Sequence, residues 1–206
     1  MIDPQDLSAQ CFERADQSDD ALFYREARKV VHIDAGAIAA LTGFLAKYLQ
    51  SGGVYLDLMS SWRSHLPPDL KASRVVGVGM NAEEMADNPQ LEEWVVHDLN
   101  DEPRLPFEDQ SFDAVTCTVS VQYMTHPLDV FGEVNRVLKP GAPFIVSFSN
   151  RCFPQKAIAL WLAMTDVQHV ELVESYFGEN WDRVRTRNCI TQNADPLFVV
   201  WTNRSS

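Results

Sequence analysis

The strongest constraint on what this chain can become is an alternation that begins at Val54. Short runs rich in β-branched residues take turns with stretches of helical periodicity, a pattern that specifies a parallel sheet covered on both faces. Val54–Leu58 is the first run, entered through the breaker Ser51-Gly52-Gly53, followed by Arg74–Gly79, Trp94–His97 and Phe112–Thr118. The last of these leads to an expected helix over Pro127–Val137, with Val130, Val134, Val137 and Leu138 on one stripe. Lys139-Pro140-Gly141 stops that helix, and Ala142–Phe148 is the fifth run. Gln155–Thr165 and Asp166–Phe177 then read as helices, and Val184–Ile190 and Leu197–Thr202 as strands. The loop Asn193-Ala194-Asp195-Pro196 makes those two strands an antiparallel hairpin. Upstream, Ile38, Leu41, Leu45 and Leu49 place one helix over Ile33–Leu49.

A length of 206 residues and an apolar fraction of 46% suit one α/β domain with a sizeable core. The net charge of −12 repels phosphate backbones and argues against a nucleic-acid partner. The local exception, Arg183, Arg185 and Arg187, shares one face of a strand and reads as a solvated row. Cys11, Cys117, Cys152 and Cys189 are widely separated, without zinc spacing, so reduced thiols and no metal are expected. The first residues, Met1–Asp6, carry no export signal, and no apolar run approaches the roughly 20 residues of a membrane span. The expected setting is the cytoplasm.

Two stretches carry a family resemblance. Leu105-Pro106-Phe107-Glu108-Asp109-Gln110-Ser111-Phe112-Asp113-Ala114-Val115 and Phe131-Gly132-Glu133-Val134-Asn135-Arg136-Val137-Leu138-Lys139-Pro140-Gly141 resemble the type 11 pattern of class I S-adenosylmethionine-dependent methyltransferases. The likeness runs from about residue 54 to 150. It implies a Rossmann-like sheet of seven strands in the order 3-2-1-4-5-7-6, only the seventh antiparallel. It also implies S-adenosylmethionine as cofactor and a small-molecule substrate. Residues 1–30 then read as a lid over the cofactor site or as a frayed terminus, and 31–206 as the methyltransferase-like domain.

Carried over residue by residue, the resemblance puts Asp57, at the end of the first strand, beneath the methionine part of the cofactor. Asp98 and Leu99, after the third strand, would meet the adenine, and the stretch from Ser120 to Tyr123 would approach the transferred methyl. Two departures stand beside these matches. The glycine-rich loop after the first strand is here Met59-Ser60-Ser61-Trp62-Arg63, without glycine. Glycines there permit unusual dihedrals and close backbone approach. The loop therefore either follows another path or presents the Ser60 and Ser61 hydroxyls to the ligand. The acidic residue that ends the second strand is Gly79, leaving Asn81 or Glu83 to supply acceptors for the ribose.

Other candidates have two readings each. Trp62, Arg63 and His65 lie at the ligand edge of the sheet, where Arg63 would hold a carboxylate, or else they cap a helix beginning near Pro67-Pro68. Tyr24, Arg28 and His32, spaced by four, line the pocket or pack the terminus. Tyr123 and His126 are the catalytic candidates, the histidine for its pKa near neutrality, with a plain loop role as the alternative. Asn150 and Arg151, after the fifth strand, are candidate substrate contacts. The functional expectation is direct in-line methyl transfer to a small molecule. A methyltransferase-like binding or assembly module without catalysis is the alternative. Oligomeric state is left open. Titration of the unfolded, unreduced protein should count four thiols; two or fewer, or stoichiometric zinc, would refute the reading of the cysteines.

Overall fold

The structure, a computed structural model, describes residues 2–189 and 192–206. Its strands are β1 (Val54–Leu58), β2 (Arg74–Gly79), β3 (Glu93–Val96), β4 (Ala114–Thr118), β5 (Pro143–Phe148), β6 (Arg185–Asn188) and β7 (Phe198–Asn203). They form one sheet in the order β3-β2-β1-β4-β5-β7-β6. β7 runs antiparallel to both of its neighbours and every other pairing is parallel. The helices are α1 (Asp20–Phe23), α2 (Ala35–Leu45), α3 (Ala82–Ala86), α4 (Pro127–Val137), α5 (Ala159–Ala163) and α6 (Asp166–Ser175).

Strand side chains alternate between two cores. Leu56, Leu58, Val76, Val78, Val115 and Val146 join Val130, Val134 and Phe131 of α4 on one face. Tyr55, Val75, Ala114, Ile145 and Trp201 meet Leu41, Phe44 and Leu45 of α2 on the other. The Pro127–Val137 helix forms as the sequence predicts, with proline in its first turn where the missing N–H leaves nothing unpaired.

Several expected helices are shorter or absent. Ile33–Leu49 narrows to α2, whose start is set by the Asp34 side chain accepting from the Ala37 amide at 2.8 Å. Gln155–Thr165 narrows to α5 because its first residues pair with the N-terminal segment instead. Asp16 N donates to Gln155 O at 2.9 Å and Ala159 N to Glu13 O at 2.7 Å. No helix begins near Pro67-Pro68. Residues 59–73 cross from β1 to β2 without one, making a single turn in which Leu70 N donates to Pro67 O at 3.0 Å. The last residue of the expected strand Val184–Ile190 lies outside the described residues, and Arg183 falls just before β6. Among the described residues no helix is long and apolar enough to cross a membrane.

The helix-free crossover is bound to the end of β2. Ser60 N donates to Val78 O at 2.6 Å. Its carbonyl oxygen would lie 2.1 Å from a Cβ placed on Gly79, and its own Cβ 3.3 Å from one placed on Gly77. Gly79→Ala should therefore lower the unfolding free energy by about 1–3 kcal/mol or more, because the obstructing atom is backbone. Gly132→Ala, on α4 with nothing within 4 Å of the new methyl, should raise it by roughly 0.5–1 kcal/mol. Urea denaturation of both variants checks the pair, and an unaffected Gly79→Ala would remove the contact from the account.

Candidate functional site

A cavity of about 140 Å³ opens over the carboxyl ends of β1 to β4, roofed by residues from the N-terminal segment. Open α/β sheets bind ligands along this edge.

Its floor under β1 is Asp57, only 3% exposed. The Ser60 and Ser64 hydroxyls donate to Asp57 Oδ2 at 2.5 and 2.6 Å, and Thr116 Oγ1 lies 3.5 Å from Oδ1. Burial raises the Asp57 pKa from 3.8 to about 6, against the opposing pull of those hydroxyls. The loop above it bends through positive φ at Met59 (55°) and His65 (55°), which glycine would adopt more cheaply. Ser60 thus turns its hydroxyl down to Asp57, away from the ligand space. Ser61 gives its own to Glu84 Oε2 at 2.6 Å. Both serine hydroxyls are thus engaged by carboxylates of the protein.

On the β2 and β3 side, Gly79 leaves bare backbone beside Asn81. The Asn81 carboxamide is engaged at both ends: Oδ1 caps α3 by accepting from Glu84 N at 2.9 Å, and Nδ2 donates to the Tyr24 and Arg25 carbonyls. Glu83 is exposed and 3.3 Å from Lys29 Nζ, outside the cavity. Asp98 lies in the wall with one carboxylate oxygen accepting from Asn100 N at 2.8 Å. Burial raises its pKa. Leu99 is buried beside it.

The N-terminal segment is held over this space from two sides. Asp20, 4% exposed, takes Arg14 Nη1 at 2.6 Å, Asn100 Nδ2 at 2.9 Å and Lys156 Nζ at 3.0 Å. Burial works against its charge, yet these donors outweigh it and hold the Asp20 pKa below the ordinary value. On the other side, Arg28 N donates to Glu84 Oε1 at 2.7 Å and Trp62 Nε1 to Val30 O at 2.9 Å. Tyr24, Arg28 and His32 all face the cavity, although only Asp20–Phe23 is helical and their spacing is therefore not that of one helical face.

The structure brings most of the predicted residues to one place. Asp57, Ser60, Ser61, Asn81, Asp98, Leu99 and Ser120 line the cavity, as do Tyr24, Arg28, Arg63 and Tyr123. His126, Asn150 and Arg151 do not. His126 is exposed at the start of α4, its Nδ1 3.0 Å from Thr125 Oγ1. Arg151 is paired with Asp195 of the β6–β7 loop at 2.8 Å, and Asn150 is exposed. Tyr123 is buried, its hydroxyl accepting from Phe153 N at 2.8 Å, and burial pushes its pKa up to about 12. Ser120 Oγ donates to Thr118 O at 2.6 Å. Sequence reasoning missed Asp20, Asn100 and Phe153, whose partners lie far away along the chain. Val119, with φ of 51°, is a β-branched residue in the left-handed region at the cavity wall.

The Asp57 environment has a consequence for stability. A carboxyl whose folded pKa exceeds its unfolded value binds more protons when folded, so its contribution is present at low pH and lost as pH rises toward 6. Between pH 4 and 7, wild-type stability should fall relative to Asp57→Asn by on the order of 3 kcal/mol. Paired denaturation curves across that range measure it, and a pH-independent difference would remove Asp57 as the titrating group.

Comparison with known proteins agrees with this fold. Residues 61–146 match the family model described as a methyltransferase domain. The chain is 33% identical over 70 residues to a malonyl-[acyl-carrier protein] O-methyltransferase of Marinomonas sp., covering 34% of this chain and 26% of that one. It is 36% identical over 96 residues to the ubiquinone/menaquinone biosynthesis C-methyltransferase UbiE of Roseobacter denitrificans, covering 45% and 37%. The match thus spans well under half the length of these curated relatives. Among solved structures, a putative methyltransferase in complex with the Haloferax volcanii Trm112 methyltransferase activator superposes with a TM-score of 0.61 at 15% identity, over 82% of this chain and 91% of that one. A SAM-dependent methyltransferase from Aquifex aeolicus gives 0.57 at 14% identity, over 82% and 91%. Residues 61–146 are thus similar to the methyltransferase domain family, and the seven-stranded sheet has the fold of these methyltransferase structures.

Proposed function

We propose that this protein transfers a methyl group from S-adenosylmethionine to a nucleophilic atom of a small molecule, in the cytoplasm. The observation that carries this reading is that Asp98 and Leu99, which follow β3, and Ser120 and Tyr123, which follow β4, line a single cavity. The donor chemistry fits the adenine end: Asp98 would accept from the exocyclic amine and Leu99 would pack on the ring. The ribose end departs from the family, since Gly79 offers no carboxylate and Asn81 is engaged elsewhere. There the cofactor would rest on backbone.

When bound, the cofactor supplies an activated methyl on a cationic sulfur, so the protein mainly orients donor and acceptor. Orientation alone can lower a barrier by roughly 7–11 kcal/mol. Tyr123, protonated at neutral pH, would position the acceptor by contact rather than take a proton from it. His32 lines the same cavity, and burial lowers its pKa, so it is neutral and able to accept a proton. The N-terminal segment, fastened through Asn81, Glu84 and Asp20, would serve as the lid that excludes water during transfer.

A second reading, a binding module without catalysis, draws on the Ser60–Gly79 contact and the helix-free crossover, which alter the cofactor-facing loop. Calorimetric titration with S-adenosylmethionine and S-adenosylhomocysteine separates the two. Asp98→Asn should weaken binding roughly ten- to a hundredfold, and Arg183→Ala, on the far side of the sheet, should leave it unchanged. An absence of binding at millimolar cofactor would set the enzyme reading aside in favour of the binding module.

A further inference from the structure

Asp20, Asp57 and Glu84 at the cavity each have hydrogen-bond donors, whereas Arg28 and Arg63 have no carboxylate partner among the described residues. Asp20 is paired with Arg14 and Lys156, Asp57 takes serine hydroxyls, and Glu84 takes Ser61 Oγ and the Arg28 amide. The Arg28 guanidinium has no such partner. Its Nη1 donates to the Phe23 carbonyl, and among the described residues no carboxylate lies within 4.0 Å of it. In a chain with 29 acidic and 17 basic side chains, such an arginine keeps donors for the carboxylate of a ligand.

Aromatic rings hold that arginine in place. Its Cζ lies 4.0 Å from the centre of the Phe23 ring and 5.8 Å from that of Phe153. The Phe153 ring meets His32 edge-on at 4.6 Å and lies nearly parallel to Tyr123 at 6.3 Å. Tyr123 follows β4 and Phe153 follows β5, while the Arg28 amide is held by Glu84 of α3 and Asn100, beside Leu99, donates to the Tyr123 carbonyl at 3.0 Å. With the adenine on Asp98 and Leu99, the two rings and the guanidinium are what the cavity offers an acceptor. Arg63, also free of a carboxylate, leans on Trp62 and the Asp87 carbonyl beside the β1–β2 crossover.

We infer that the methyl acceptor is a planar molecule carrying a carboxylate, its flat face against Phe153 and Tyr123 and its carboxylate on the Arg28 guanidinium. The inference rests on the methyltransferase reading of the same cavity. A planar fork of donors matches a carboxylate two to two.

Calorimetric titration of the protein with benzoate, 4-hydroxybenzoate and cinnamate, each against its carboxamide, tests the assignment with and without saturating S-adenosylhomocysteine. The acids should bind roughly tenfold or more tightly than their amides. Arg28→Gln should erase that preference, Arg28→Lys should keep part of it, and neither should change the affinity for S-adenosylhomocysteine. If no acid binds wild-type protein better than its amide up to millimolar concentration, the inference is wrong. It is equally wrong if Arg28→Gln weakens S-adenosylhomocysteine and spares the acid preference, which would give Arg28 to the cofactor. Failure of S-adenosylhomocysteine to bind at all would strike the methyltransferase reading instead, and the acid-over-amide comparison without cofactor would still decide this one.

Discussion

The seat of the Ser60 carbonyl against Gly79 sets the form of everything above the sheet. Backbone can lie that close to a strand only where the strand has no Cβ, and Gly77 and Gly79 provide that bare surface. With Ser60 N bonded to Val78 O, the loop after β1 is drawn across the end of β2. Two departures of the sequence, a loop without glycine after β1 and a glycine at the end of β2, are in direct contact. Glycine is required on the strand beneath the loop, and a carboxylate at position 79 would collide with the Ser60 carbonyl.

That path of the loop explains the state of Asp57. The Ser60 and Ser64 hydroxyls close over it, and Asn88 Nδ2 in turn donates to Ser64 Oγ at 2.8 Å. The carboxyl is a buried brace for the loop, satisfied by hydroxyls rather than by a cation. Burying a charge without a counter-ion is costly, and the raised pKa is the physical sign of that cost.

The cover over the cavity uses the opposite solution. Asp20, Arg14 and Lys156 are buried together, and Asn100 links them to the Tyr123 carbonyl at 3.0 Å. Removing one member of such a group leaves the others charged and unpaired, so the set holds its geometry as a unit. Main-chain hydrogen bonds bring Tyr24 and Arg28 to the cavity without a helix, Tyr24 through Asn81 and Arg28 through Glu84.

By itself the sequence determined the sheet. Period-two runs and turn residues act over a few positions, so β1 to β5, α4 and the terminal hairpin were legible locally, and the resemblance supplied their order. Asp98, Leu99 and Ser120 reach the cavity because they follow strand ends, and strand ends are local information. Only the tertiary structure decided which residues work together. Helical spacing put Tyr24, Arg28 and His32 on one face; extended backbone put them in one cavity. His126 and Arg151 sit close in sequence to strand ends yet turn outward, Arg151 because Asp195 captures it from the hairpin loop. Asp20 and Asn100 are 80 positions apart and the Asn81–Tyr24 bond spans 57. Contacts of that separation leave no periodic trace in the chain, because they depend on the fold bringing distant segments together and not on the residues beside them.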